Sequence, residues 1–236
     1  MTWSLIARDN GRFGLIVATR FFAVGMLCPH VASRVGAVAT QALLNPFYGL
    51  EGLAMLRDGV AANDVVQRLT AADDGRDQRQ LHVMDAAGRI AAHTGKACVD
   101  WCGHLSGADY SIAGNMLAGE RVLTETAAAY EANAALSFPR RLIAAMKAGE
   151  AAGGDKRGKQ SAALVICGEE AWPDLELRVD DHADPLAELE RLEAVSRQRF
   201  VHFARYLPSH KNRTGETDRA VIDAGVAAAV AAEAKR

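Results

Sequence analysis

Long apolar runs are missing from this chain of 236 residues, and so is any excess of charge of one sign. No stretch of about eighteen apolar residues occurs, so no membrane-spanning helix is expected. Lys and Arg number 27 against 29 Asp and Glu, a formal net charge of −2. That balance sets up no long-range field, which disfavours nucleic acid and anionic membrane surfaces as partners. Cysteine is scarce: Cys28, Cys98, Cys102 and Cys167 are the full set. Met1-Thr2-Trp3-Ser4 reaches Arg8-Asp9 without the basic, apolar, small-residue order of a secretory signal. Reduced thiols and a cytoplasmic location are therefore expected. Internal repeats, low-complexity segments and charge blocks are absent as well, so a single domain over residues 1–236 is expected.

What is present suits a packed globular chain, with 50% hydrophobic and 24% charged residues. Thr2 to Arg8 and Phe13 to Thr19 are strand-like runs joined by Asn10-Gly11, whose positive φ angles suit a tight hairpin. A third strand is expected over Val35 to Thr40. The period then turns helical through Leu50, Leu53 and Leu56, and again through Val60, Val65, Val66 and Leu69. Gln80 to Met84 and Arg89 to His93 form a second hairpin, followed by a strand over Tyr110 to Gly114. Helices follow over Glu120 to Asn133 and Pro139 to Glu150, the second ended by Gly153-Gly154. A third hairpin pairs Ser161 to Cys167 with Leu175 to Val179. Asp184-Pro185 opens a helix expected to run to about Arg205, and an Ala-rich helix covers Thr217 to Lys235. Hairpin-joined strands exclude a βαβ winding. Helices arriving in pairs suit an α/β (α+β) fold in which two stacked antiparallel sheets carry helical layers outside.

Thr2 is the residue with the most chemistry. If Met1 is removed, Thr2 holds a free α-amine beside its hydroxyl. An α-amine titrates at about 7.7–8.0, so it can accept the hydroxyl proton, and one residue supplies nucleophile and base. Hairpin pairing puts Thr19-Arg20 beside Thr2, where a guanidinium would depress the amine pKa or hold a substrate carboxylate. A surface charge at a strand end is an equal alternative for Arg20. Asn115 follows a strand and is either an oxyanion donor or a turn cap. Gly153 to Ser161 projects Asp155, Lys156, Arg157, Gln160 and Ser161 together, as a site loop or a solvated one, and it lacks P-loop spacing. Cys98, Cys102 and His104 give three of the four ligands a closed zinc site wants, with no second paired set, so no metal is expected. Asp180-Asp181-His182 reads as a strand-to-helix cap.

Several of these segments resemble a prokaryotic domain-of-unknown-function family, number 1028. They are Met1-Thr2-Trp3-Ser4, Phe21-Phe22-Ala23-Val24-Gly25, Gly36 to Gln41 with Asn45-Pro46, Gly114 to Gly119, Gly153 to Ala162 and Leu177 to His182. The resemblance covers about residues 1–195 and leaves 196–236 as a helical C-terminal extension. It implies an N-terminal-nucleophile (Ntn) hydrolase-like fold, a four-layer αββα sandwich. It also sets Thr2 at the place of a nucleophile and brings Asn115 and Asp155 to that end, without supplying an activity. Together with the residue chemistry above, Thr2, Asn115 and Asp155 are expected to be catalytic, and Arg20, Gln41, Asn45, Lys156, Arg157, Gln160 and Ser161 to bind substrate. The activity expected is cleavage of an amide-type bond in a small anionic molecule, without cofactor, by a homo-oligomer. The alternative is a non-catalytic binding or assembly protein that keeps the sandwich.

Overall fold

The computed structural model describes residues 2–233. Met1, with its expected removal, and the expected end of the last helix at Lys235 lie outside the described residues. Contacts divide the chain into two compact units, residues 1–189 and 190–236.

The first unit is built on the opening hairpin. β1 (Thr2–Asp9) and β2 (Arg12–Thr19) pair in a register that sets Asp9 opposite Arg12 and Thr2 opposite Thr19. Asn10 at φ 49 and Gly11 at φ 78 supply the left-handed turn this register needs. A six-stranded antiparallel sheet grows around the hairpin. It is completed by β7 (Trp101–Ser106), β8 (Tyr110–Leu117), β9 (Ser161–Cys167) and β10 (Leu175–Val179), in the order β10-β9-β2-β1-β8-β7. A four-stranded antiparallel sheet has the order β3 (Pro29–Ala32), β4 (Gly36–Ala42), β5 (Arg79–Asp85), β6 (Ile90–Thr94). Helices α1 (Pro46–Arg57) and α2 (Ala62–Ala71) cover the smaller sheet, and α3 (Arg121–Ala132) and α4 (Phe138–Ala151) the larger. This is a four-layer αββα sandwich.

Strand alternation explains the layers. Ala37 and Ala39 on β4 join Ile6, Leu15, Val17 and Met84 between the sheets. Val38, with Leu81 and Val83 of β5, turns the other way onto Tyr48, Leu56, Val65 and Leu69 under the helices. Each Val, Leu, Ile or Met among them contributes about 1.5–3 kcal/mol by leaving water.

Two strands were not expected, β3 and β7. Both lie on sheet edges. β3 opens with Pro29, and β7 carries Gly103 and a register shift between Trp101 and Gly103. Their residues are mostly half-buried, which blurs the alternation that marks a strand. The helix expected from Asp184 to Arg205 is interrupted. α5 (Pro185–Ser196) ends where the Ser196 hydroxyl donates to its own helix at Glu193 O, 2.7 Å. Arg199 then leaves helical geometry at φ −154, ψ −50, before the short α6 (Phe200–Phe203).

In the second unit, α6 leads through a 3₁₀ turn to α7 (Arg219–Glu233). Arg197 pairs with Glu233 at 2.8 Å, Arg199 pairs with Asp223 at 2.7 Å, and Ile222 and Val226 are buried.

Candidate active site

The layer between the sheets changes character along its length. At the hairpin-turn end it is apolar, with Ile6, Phe13 and Met84. Toward the start of β1 it becomes polar: Thr2, Ser4, Thr19, Gln41, Gln80, His82, Ser111 and Asn115 are all buried. Burying so many polar groups is costly unless each finds a partner.

Here they partner one another in one directed series. Asn115 Nδ2 donates to Gln80 Oε1 at 2.9 Å and, more weakly, to the Thr2 carbonyl at 3.4 Å. Gln41 Nε2 donates to the same Gln80 oxygen at 2.8 Å. Gln41 Oε1 accepts from the Ser4 hydroxyl at 2.7 Å, and Ser4 Oγ lies 2.8 Å from His82 Nε2. Since the Ser4 proton is spent on Gln41, His82 Nε2 carries the hydrogen and Nδ1 accepts from Ser111 Oγ at 2.9 Å. Burial pushes His82 down to about 3, and the neighbouring His104 pushes the same way. A neutral ring is what this hydrogen-bond order requires.

Thr2 stands at the open end of the series. It is 8% exposed, and its hydroxyl donates to Thr19 Oγ1 at 3.1 Å. Both residues line a cavity of about 310 Å³, walled by Phe21, Phe22, Met26, Leu27 and Leu43 with Cys28, Gln41 and Arg157. Asn115 borders a second cavity of about 270 Å³ with Cys98 and Met116. Three non-glycine residues around these cavities hold left-handed backbone: Ala23 at φ 52, Ala42 at φ 67 and Met116 at φ 55. Each costs on the order of 1 kcal/mol or more, and such strain gathers at working sites. Cys28 offers the cavity no thiolate, because burial holds its thiol up at about 12, against a smaller opposing effect of the Thr40 backbone.

The glycine-flanked loop reaches the same end of the sandwich. Gly153 at φ 122 and Gly154 at φ 45 turn the chain out of α4. Asp155 then bridges Leu117 at the end of β8. Its carboxylate, with no side-chain exposure, accepts from the Arg20 amide at 3.0 Å and the Arg157 amide at 2.7 Å. It thereby ties the end of β2, next to Thr19, to the loop.

The other sequence-derived candidates fall as follows. Gln41 and Arg157 line the Thr2 cavity. The Arg20 guanidinium instead donates to the Lys159 carbonyl at 3.1 Å, so the cation in the wall is Arg157. Asn115 spends its amide on Gln80 and Thr2 O, which makes it an anchor for Thr2 and leaves no free donor facing the cavity. Ser161 Oγ donates to Phe21 O at 2.6 Å and accepts from Val24 N at 3.0 Å, and so shapes the apolar wall. Gln160 reaches Asp181 at 3.0 Å, and Lys156 lies 3.8 Å from Asp100. Asn45 caps α1, accepting from Phe47 N at 3.1 Å and donating to Asp73 at 3.2 Å, and does not border the cavity. Cys98 and Cys102 point to backbone carbonyls, and His104 shares the Thr94 hydroxyl at 3.1 Å.

Hairpin pairing placed Thr19 beside Thr2, and the observed register pairs the two directly. Sequence reasoning missed Ser4, Gln80 and His82. Ser4, Gln80 and His82 signal themselves only as polar residues on inward-facing positions of buried strands.

The profile of a family of unknown function, DUF1028, matches residues 2–189. A crystal structure of a DUF1028 protein from Silicibacter pomeroyi is similar at TM-score 0.85 and 35% identity, over 92% of this chain and 96% of that one. Eukaryotic HslV from Trypanosoma brucei is a remote neighbour at TM-score 0.37 and 11% identity, over 71% of this chain and 99% of its own. A likeness of that size carries no argument about activity. No curated protein matches the chain. The family match ends where the first compact unit ends, so it takes in both sheets and every residue of the polar seam: the chain belongs to the family of unknown function DUF1028.

Proposed function

We propose that this protein is an amidohydrolase of the Ntn type, acting on an amide bond in a small anionic molecule, with Thr2 as nucleophile after loss of Met1. One observation carries the reading. The Thr2 hydroxyl sits almost buried at the wall of a cavity, hydrogen-bonded to Thr19 at 3.1 Å, at the one end of the inter-sheet layer that is polar.

In this mechanism the Thr2 amine takes the hydroxyl proton as Oγ1 attacks the amide carbon. The Oγ1–C bond forms and the C–N bond breaks, the amine product leaving with that proton. Water then cleaves the ester, releasing the acid and restoring Thr2. Backbone amides beside Gln41 are proposed to hold the oxyanion. Asn115 fixes the Thr2 backbone, Asp155 fixes the end of β2, and Arg157 binds the anionic group of the substrate. No cofactor enters any step. A cytoplasmic site of action is part of the proposal, and no helix among the described residues is long and apolar enough to cross a membrane. A homo-oligomer is also proposed, resting on the exposed Phe47 and Leu50 of α1, and sedimentation velocity of the purified chain tests it.

The deciding experiment combines intact mass with turnover of an amide panel. The mature chain is expected to lack Met1. Thr2→Ala is expected to abolish turnover while leaving the fold intact, and Thr2→Ser to retain part of it. An active protein that keeps Met1, or an active Thr2→Ala, refutes the mechanism and favours a binding protein on the same sandwich.

A further inference from the structure

The wall of the Thr2 cavity is unusual in what it leaves in water. The six most exposed large apolar side chains among the described residues are Phe21, Phe22, Met26, Leu43, Phe47 and Leu50. Four of them, Phe21, Phe22, Met26 and Leu43, border this one cavity, each 60–70% exposed. A monomer gains nothing by holding such side chains wet. The protein nonetheless builds the segment that presents them. Ser161 clamps Phe21 O and Val24 N, Ala23 N donates to Asp180 O at 2.9 Å, and Ala23 itself is held in left-handed backbone. The cavity has a single charged lining residue among those described, Arg157. Its Nη2 lies 3.5 Å from Asp155, the long limit of a hydrogen bond, and its side chain is 42% exposed, so the guanidinium fork has donors left for a second anion. No carboxylate lines the wall to repel one. At about 310 Å³ the space matches a small molecule rather than a peptide.

From this arrangement we infer that the cavity is a two-part subsite for an N-acylated amino acid or a close relative: an apolar acyl chain against Phe21, Phe22, Met26 and Leu43, and a carboxylate on Arg157. The inference deepens the amidohydrolase reading and rests on it for the scissile bond, but the recognition does not depend on catalysis. Apolar contact grows with each buried methylene, while the carboxylate is fixed by bidentate, charge-assisted hydrogen bonds. The two halves are therefore separable by mutation.

The test uses calorimetric titration of the Thr2→Ala protein with N-hexanoylglycine, N-acetylglycine and hexanamide. Hexanoylglycine is expected to bind at least about tenfold more tightly than either of the others. Arg157→Gln should remove the preference over hexanamide and keep the preference over acetylglycine. Phe22→Ser should do the reverse, and Met26→Gln replaces it if Phe22→Ser lowers the melting temperature. Equal affinity for the two acyl lengths, an Arg157→Gln variant that still prefers the carboxylate, or no binding of any probe overturns the subsite. Selective binding with no turnover by the unaltered protein leaves the subsite standing and removes the catalytic reading. Turnover without selectivity does the opposite.

Discussion

Lowering the pH below about 6.5 should destabilise this protein through His82. The ring is fully buried between the sheets, and its pKa falls from 6.5 to about 3 because burial penalises the charged form, with His104 adding repulsion. A depressed pKa means that the unfolded chain binds the proton first. The stabilisation is therefore complete above pH 6.5 and is lost as pH falls from there toward 3. A difference of roughly 3.5 units corresponds to on the order of 4–5 kcal/mol in total, with a limiting slope of about 1.4 kcal/mol per unit. That is a large part of the 5–15 kcal/mol available to a typical domain. Other groups move too: His30 and His104 are also lowered by burial and act with the same sign. The comparison that isolates His82 is urea unfolding of the parent and of His82→Gln at pH 6 and pH 5. Glutamine can still donate to Ser4, so it should lose about 1 kcal/mol at pH 7 for the acceptor that Ser111 no longer has. Between pH 6 and 5 the parent should lose about 1 kcal/mol more than the variant. Parallel pH dependences would refute the reasoning, as would a nitrogen-15 spectrum showing a charged His82 ring at pH 5.

Two further outcomes follow from single contacts. Asp155→Ala leaves the Arg20 and Arg157 amides without their acceptor and should cost about 2–4 kcal/mol by chemical denaturation, with Asp155→Asn losing less because one oxygen remains; equal stability of all three proteins would show that water substitutes for the carboxylate. Gly36→Ala should cost about 3 kcal/mol or more, since Gly36 sits at φ 137 with the Met84 carbonyl where a Cβ would go, and a melting temperature within a degree or two of the parent would contradict this.

Much of the sandwich was legible because its central strands are strongly patterned. Leu15-Ile16-Val17-Ala18 is apolar on both faces, as a strand between a helical layer and a second sheet must be, and Asn10-Gly11 fixes the register of the hairpin around it. Edge strands carried no such mark. Trp101-Cys102-Gly103-His104 mixes a large aromatic, a thiol, a glycine and an imidazole, and its strand character comes from pairing with β8 rather than from its own preferences. The break after Ser196 was also hidden, because the local composition continues to favour helix and only the backbone at Arg199 departs from it.

The candidate site was legible in a different sense: its location was, and its internal order was not. Pairing alone puts Thr2 between Thr19 and Asn115, so two of its neighbours follow from strand register. What register cannot supply is direction. An amide presents a donor and an acceptor from the same side chain, and which one faces a neighbour depends on every other partner in the network. Here the order is set from both ends. Gln80 Nε2 is committed to Thr94, Gly103 O and Gly114 O at 2.9–3.0 Å, so its oxygen must face Asn115 and Gln41. Gln41 must then turn its own oxygen to Ser4, and Ser4 in turn leaves His82 neutral with its hydrogen on Nε2. Reversing any one amide would bury two donors or two acceptors against each other, a loss of about 1–3 kcal/mol per unsatisfied group. Such a chain has a single satisfied arrangement, and the backbone of Thr2 is held at its end through Asn115. Arg20 illustrates the same limit from the surface. Its amide is fixed by Asp155, but its guanidinium is free to choose, and it settles on Lys159 O while Arg157 takes the cavity wall. Strand pairing determines where a residue stands, and only the completed set of hydrogen bonds determines which of its atoms does the chemistry.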